Sequence, residues 1–175
     1  MNHCAAFLDV FTPEELSGIR LMGERQIGLR GAVENAPDSH RNCTVAWLDP
    51  EGWLAEKLEE VAAHINGEFF GFDLAGFADP FQYTVYREGG YYGWHMDMGD
   101  TRREPRKLSF TIQLSEPDEY EGGDFLLHTG PEMVSMGREW GRVIAFPAWA
   151  LHSVTPVSKG IRRSLVVWAS GEPFT

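Results

Sequence analysis

From residue 81 onward the chain is a run of short β-rich segments spaced too tightly for crossover helices, which restricts that half to an antiparallel sheet. Segments 81–86, 107–115, 124–128, 142–146 and 163–169 are rich in Val, Ile, Phe, Tyr and Trp. Gly89-Gly90, Gly122-Gly123, Gly130-Pro131 and Lys159-Gly160 punctuate them. Parallel neighbours would need connections of a dozen or more residues, usually helical. The first 70 residues read mostly as helix. Thr12-Pro13-Glu14-Glu15 is a capping box with proline at the first helical position, and its helix is expected to run to about Gln26. Asp49-Pro50 is expected to open a second helix. Its apolar positions Trp53, Leu54, Leu58, Val61 and Ile65 follow the 3.6-residue period, and Asn66-Gly67 is expected to close it. The polar stretch 31–41 has no local reason for order. Several antiparallel strands covered by two helices imply a mainly β protein with N-terminal helices (α+β), built as a squashed barrel or jelly-roll.

A length of 175 residues favours one domain, with 1–78 as mostly helical support and lid and 79–175 as the β core. No apolar run approaches the roughly 20 residues that cross a bilayer. The first residues lack the charged and apolar regions of a secretion signal, so a cytoplasmic protein is expected. Cys4 and Cys43 are the only cysteines and do not form a C-x-x-C pair, so free thiols are expected. The net charge of -11 repels phosphate backbones and argues against nucleic acid as a partner.

Chemistry is concentrated in three residues. His95 and Asp97 lie in Tyr92-Gly93-Trp94-His95-Met96-Asp97, and His152 follows Pro147 by five positions. Two imidazoles and one carboxylate can occupy one face of an octahedral iron and leave three positions open. If His95 and Asp97 share a strand, they point the same way. Each part has a plainer reading. H-x-D also arises by chance, as a core histidine bonded to an aspartate, and His152 alone is an ordinary histidine at a strand start. Ten residues after His152 comes Arg162-Arg163. Alternation along a strand turns one of the pair inward, and a buried guanidinium needs an anionic partner. No carboxylate of the chain is an obvious candidate, so a ligand carboxylate, gripped in two-pronged fashion, is expected. The joint order (H-x-D, about fifty residues of strands, P-x4-H, then arginine) is far rarer than any part. It points to an iron oxygenase with a dicarboxylate co-substrate.

In these motifs the chain resembles the Fe(II)- and 2-oxoglutarate-dependent dioxygenases, in the branch of prolyl-4-hydroxylase-like catalytic domains. The resemblance runs from about residue 81 to 174 and rests on Gln82-Tyr83-Thr84-Val85-Tyr86, the H-x-D segment, Glu121-Gly122-Gly123-Asp124-Phe125, His152-Ser153-Val154-Thr155-Pro156-Val157 and Gly160-Ile161-Arg162-Arg163-Ser164. It implies a double-stranded β-helix. It implies Fe(II) on His95, Asp97 and His152, with 2-oxoglutarate and O2 as co-substrates. Arg162 would pair with the distal carboxylate of 2-oxoglutarate, with Tyr86 and Ser164 beside it. Gln113 stands where some relatives place a tyrosine against that carboxylate. Tyr92 and Arg106 match positions that face the prime substrate in some prolyl hydroxylases, and Trp94 and Arg102 belong to the same region. The implied reaction is hydroxylation of an unactivated C–H bond of an amino acid, a peptidyl residue (prolyl among them) or a related small substrate, with succinate and CO2 as co-products. Asp97 favours hydroxylation, because halogenases of this superfamily lack the carboxylate ligand.

Residues 98–107 carry four positive and two negative charges in an acidic chain and directly follow Asp97. They read either as a lid that draws in an anionic substrate group or as a solvated loop. Of the remaining histidines, His128 reads as structural or exposed, His64 belongs to the second helix, and His3 and His40 fall in flexible regions. The competing function is a cupin-like metal-dependent dioxygenase or small-molecule sensor that does not use 2-oxoglutarate. Residues 141–152 resemble the second cupin motif, but the H-x-H of the first is missing. A non-enzymatic module with a relic site is the third class, and the intact ligand set argues against it. The expected partner is a small-molecule or peptide substrate, with no membrane and the oligomeric state open.

Overall fold

In the computed structural model, residues 4–30, 33–34, 40–98 and 105–172 are described. In chain order the elements are β1 (Ala5–Phe7), α1 (Pro13–Arg30), β2 (Val33–Glu34), β3 (Arg41–Asn42), β4 (Thr44–Leu48) and α2 (Gly52–Ile65), which runs on into a π-helical turn, Asn66–Phe70. There follow β5 (Phe81–Tyr86), β6 (Tyr91–His95), β7 (Arg106–Gln113), β8 (Tyr120–Gly122), β9 (Phe125–His128), β10 (Met133–Ser135), β11 (Val143–Pro147), β12 (His152–Val154), β13 (Val157–Gly160) and β14 (Arg162–Ser170).

Two antiparallel sheets face each other. The larger has the order β1-β11-β7-β14-β5-β4-β2 and the smaller β10-β9-β12-β6-β3, while β13 and β8 form a separate pair. The chain alternates between the sheets: β5 large, β6 small, β7 large, β9 small, β11 large, β12 small, β14 large. That alternation is the double-stranded β-helix. It threads β14 between β7 and β5, and β12 between β9 and β6.

Side chains on a strand alternate between faces, and here the two faces have different partners. Phe81, Tyr83 and Val85 of β5, Leu108, Phe110 and Ile112 of β7, and Leu165, Val167 and Ala169 of β14 join the helices in one apolar core. The alternate positions turn into the barrel: Gln82, Thr84 and Tyr86, then Ser109, Thr111 and Gln113, then Arg162, Ser164, Val166 and Trp168. Most are polar, yet most are buried. Buried polar groups need partners, so this inner face marks where chemistry can sit.

α1 begins as expected. Thr12 N–H donates to Glu15 Oε2 (2.8 Å), and Glu15 N–H donates to Thr12 Oγ1 (3.2 Å). The helix continues to Arg30, past the expected end at about Gln26, and Ile27 in the added turn still packs against the core. α2 departs from expectation at both ends. It starts at Gly52 behind Glu51, with no side-chain cap, instead of at Asp49-Pro50. Asn66-Gly67 does not stop it. The π-helical turn carries the chain to Gly71, whose φ of +71° ends the helical run, while Asn66 brackets Phe72 with two hydrogen bonds. Trp53 is exposed, and Ala55 and Ala62 are buried in the face that was expected to include it. The N-terminal half is also less helical than expected: β1 and β4 extend the large sheet from either side. No helix among the described residues is long and apolar enough to cross a membrane.

Candidate metal centre and co-substrate pocket

β6 and β12 are neighbours in the smaller sheet, and His95 at the end of β6 stands directly opposite His152 at the start of β12. Asp97 lies two residues past the end of β6, not on it. Its position is set by its N–H, which donates to the Ala148 carbonyl at 2.8 Å. One donor atom from each of the three residues lies within 4.8 Å of the others. His95 Nε2 is 3.6 Å from Asp97 Oδ1, and His152 Nε2 is 3.5 Å from Oδ2.

Both imidazoles are held the same way. Nδ1 of His95 meets the Gly93 carbonyl at 2.8 Å, and Nδ1 of His152 meets the Ala150 carbonyl at 2.9 Å. A carbonyl only accepts, so Nδ1 carries the proton and each Nε2 presents its lone pair to Asp97. Tyr92 stacks on His95 with ring centroids 3.5 Å apart and fixes the ring plane. Burial, with repulsion from His152, pushes His95 down to about 4, so the imidazole is neutral at neutral pH and able to bind a metal. Burial alone would push Asp97 up. The two imidazoles facing it, His152 first and then His95, outweigh burial and hold the carboxylate well below the usual range. Ser109 Oγ donates to Asp97 Oδ2 at 2.8 Å. An anionic carboxylate and two imidazoles, turned toward one point, fit a divalent ion that prefers mixed N/O ligands.

The triad opens on a cavity of about 320 Å³. Arg162 lines it and is 3 % exposed. It lies opposite Tyr86 in the β14–β5 register, with its guanidinium 5.4 Å from the Tyr86 ring centroid. Its Nη1 reaches Ser164 Oγ at 3.3 Å, and its Nε has no partner among the described residues. A buried guanidinium with an orphaned donor inside a cavity fits a carboxylate ligand. Arg163 has the opposite phase and pairs with Glu24 on α1 at 2.7 Å.

The other expected residues divide. Tyr86, Ser164, Tyr92 and Arg106 line the cavity. Gln113 does not: its Nε2 donates to Tyr120 Oη (2.9 Å) and the Ser115 carbonyl (3.3 Å). Arg106 lies flat over Trp168, 3.6 Å from the ring centroid. Its Nε donates to Asp79 (2.8 Å) and its Nη1 to the Asp97 carbonyl (3.3 Å). Trp94 is exposed outside the cavity, against His128. Arg102 and most of the expected lid lie outside the described residues. His40 stands beside the site, with its ring 6.3 Å from that of His95. Sequence reasoning missed Arg41 and Trp47, both in the lining, because β3 and β4 carried no recognised signal. It also missed Ser109 and Trp168. Trp168 shares the phase of Arg162 and Ser164 along β14, a signal already present in the alternation.

The family described as the 2OG-Fe(II) oxygenase superfamily matches over residues 81–170. A PKHD-type hydroxylase of Paracoccus denitrificans is 30% identical over 173 residues, covering 92% of this chain and 75% of its own length. Among solved structures, a Pseudomonas putida prolyl-4-hydroxylase superposes with a TM-score of 0.79 at 16% identity, covering 99% of this chain and 95% of that one. A prolyl hydroxylase from Trichoplax adhaerens, in complex with a hypoxia inducible factor oxygen degradation domain peptide fragment, gives 0.76 at 16% identity, covering 97% and 84%. The low identities of the two structures carry the fold, which is the double-stranded β-helix already described.

Proposed function

The chain belongs to the 2OG-Fe(II) oxygenase superfamily, and from that premise we propose that it hydroxylates an unactivated C–H bond of a peptidyl residue, with proline the first candidate. One observation carries the reading: the His95–Asp97–His152 cluster and the orphaned guanidinium of Arg162 share one cavity. Fe(II), 2-oxoglutarate and O2 bound there supply the oxidising power for such a bond, with 2-oxoglutarate consumed to succinate and CO2.

The chain's own groups supply binding and orientation. His95, Asp97 and His152 hold the ion. Arg162, with Ser164 and Tyr86, takes the distal carboxylate and sets the direction from which the co-substrate reaches the ion. Tyr92 and Arg106, at the mouth, orient the prime substrate. A peptidyl substrate is favoured because the superposed Trichoplax enzyme holds a peptide, and because Trp94, Met96 and Leu151, adjacent in sequence to the three ligands, are exposed apolar side chains that an extended partner would cover.

The test is anaerobic loading with Fe(II) and 2-oxoglutarate, followed by oxygen and a panel of proline-containing peptides and free amino acids, read by mass spectrometry. The expected result is a product heavier by one oxygen atom, with matching succinate. His95→Ala and His152→Ala should lose metal binding and turnover while keeping the circular dichroism of the parent. Normal turnover in either variant would refute the ligand assignment.

A further inference from the structure

We infer that Ser109 and Trp168 are positioning residues for Asp97, two hydrogen-bond donors on neighbouring strands that set the plane in which its carboxylate meets the metal ion. The inference rests on the iron-centre reading above and extends it to groups that do not touch the ion.

Asp97 differs from the two histidines in how it is held. Each imidazole is anchored to a carbonyl two residues earlier in its own segment. Asp97 stands beyond the end of β6, and no carbonyl of its own segment anchors its side chain; its backbone is tied by N–H to the Ala148 carbonyl and by its carbonyl to Arg106 Nη1. Rotation about its last side-chain bond would present the ion with one oxygen or with both. A donor from elsewhere must choose.

Ser109 provides one. It is fully buried on β7, and its hydroxyl donates to Oδ2 at 2.8 Å. Trp168 stands directly opposite Ser109 in the β7–β14 register, on the same inward face, and lines the cavity. Its indole N–H is buried and has no hydrogen-bond partner among the described residues. Asp97 and Trp168 line the same cavity, and Ser109, the strand partner of Trp168, already bonds the carboxylate. Unpaired buried N–H groups are rare and costly. A small turn of the carboxylate toward an ion would supply the partner.

The indole itself is fixed. Arg106 covers one face at 3.6 Å and is tied to both Asp79 and the Asp97 carbonyl. Asp97 is therefore the centre of a frame: Arg106 holds its carbonyl and the indole plane, Ser109 holds its carboxylate, and the indole N–H is the unpaired donor left in the same cavity. Groups that orient a ligand in this way typically matter to metal affinity almost as much as the ligands do.

Ser109→Ala and Trp168→Phe each remove one donor and keep the local shape. The metal-free full chain is titrated anaerobically with Mn(II) by calorimetry. Loss of the Ser109 hydroxyl should weaken Mn(II) by roughly 10–100-fold, and loss of the indole N–H by roughly 3–10-fold. Ser109→Thr should recover most of the affinity. The absorption bands of the Co(II)-loaded protein, which report ligand orientation, should shift in both donor-deleted variants. Mn(II) dissociation constants within about twofold of the parent for both would overturn the inference. So would loss of thermal stability with metal affinity untouched. His95→Ala is the reference: a parent that binds Mn(II) no better than this variant would remove the metal centre itself, and the inference with it.

Discussion

Arg162 and Arg163 are neighbours in sequence and end on opposite sides of a sheet. The first enters the cavity with an orphaned Nε; the second pairs with Glu24, which also accepts from Tyr83 Oη at 3.0 Å. Their substitutions should therefore separate cleanly. Arg162→Ala should weaken 2-oxoglutarate by about 2–5 kcal/mol, by analogy with truncated charge pairs, and the apparent KM from initial rates should rise accordingly. Arg162→Lys keeps the charge without the planar fork and should fall between. Arg163→Ala should leave that KM unchanged and lower the unfolding free energy by about 1 kcal/mol, the upper range for a partly exposed pair. Equal effects on KM would show that the strand phase does not separate the two roles.

Between elements, α1 lies close against β5. Gly23 of α1 lies over the ring of fully buried Tyr83, and a Cβ built there would collide with Tyr83 Cγ. Alanine would improve helix propensity by about 1 kcal/mol. It would also have to push α1 away from a buried ring, at about 1–3 kcal/mol or more for overpacking. The clash should win. Urea denaturation of Gly23→Ala should show a lower midpoint, and a higher one would mean that the seam is looser than its geometry. Propensity alone has the wrong sign here, because it sees the helix and not the ring beneath it.

Across the whole molecule, α1 is fastened by three carboxylates. Glu15 pairs with Lys57 on α2, Glu119 takes Arg20 in a two-pronged bond (2.7 and 2.9 Å), and Glu24 takes Arg163. For Glu15 the hydrogen bond from Lys57 lowers the carboxyl. For Glu24 and Glu119 burial pushes up, but their arginines outweigh it, so all three lie below their ordinary value of 4.5. Below that pH the unfolded chain takes up protons that the folded protein refuses, and stability falls as pH falls. His95 acts in the same direction at higher pH. Burial holds it down to about 4 from 6.5, so in the metal-free protein the loss should begin below pH 6.5. Melting temperature measured against pH should fall in two stages, and a metal ion, which keeps His95 unprotonated in the folded protein, should raise the whole curve without removing the first. A flat profile from pH 7 to 5 in the metal-free protein would contradict it.

The β core and the phase of the candidate site were legible in the sequence, because both depend on short-range patterns. Period-two alternation in β5, β7 and β14 separates the helix-facing residues from those facing the cavity, and the same alternation separates Arg162 from Arg163. The spacing of His95, Asp97 and His152 was legible as a pattern, though not the bond from Asp97 N–H to Ala148 that sets the carboxylate past its strand. Other features had no local signal. β4 is a strand because all five of its residues pair with β5. α2 overruns Asn66-Gly67 because its end is continued by a π-helical turn. Gln113 turns to Tyr120, and Arg41 reaches the cavity from a stretch that read as irregular. Ser109 meets Asp97 only because β7 of the larger sheet packs against the segment that follows β6 of the smaller. Local pattern decides which face a residue is on. Register between distant segments decides what it meets there, and only the tertiary structure supplies that.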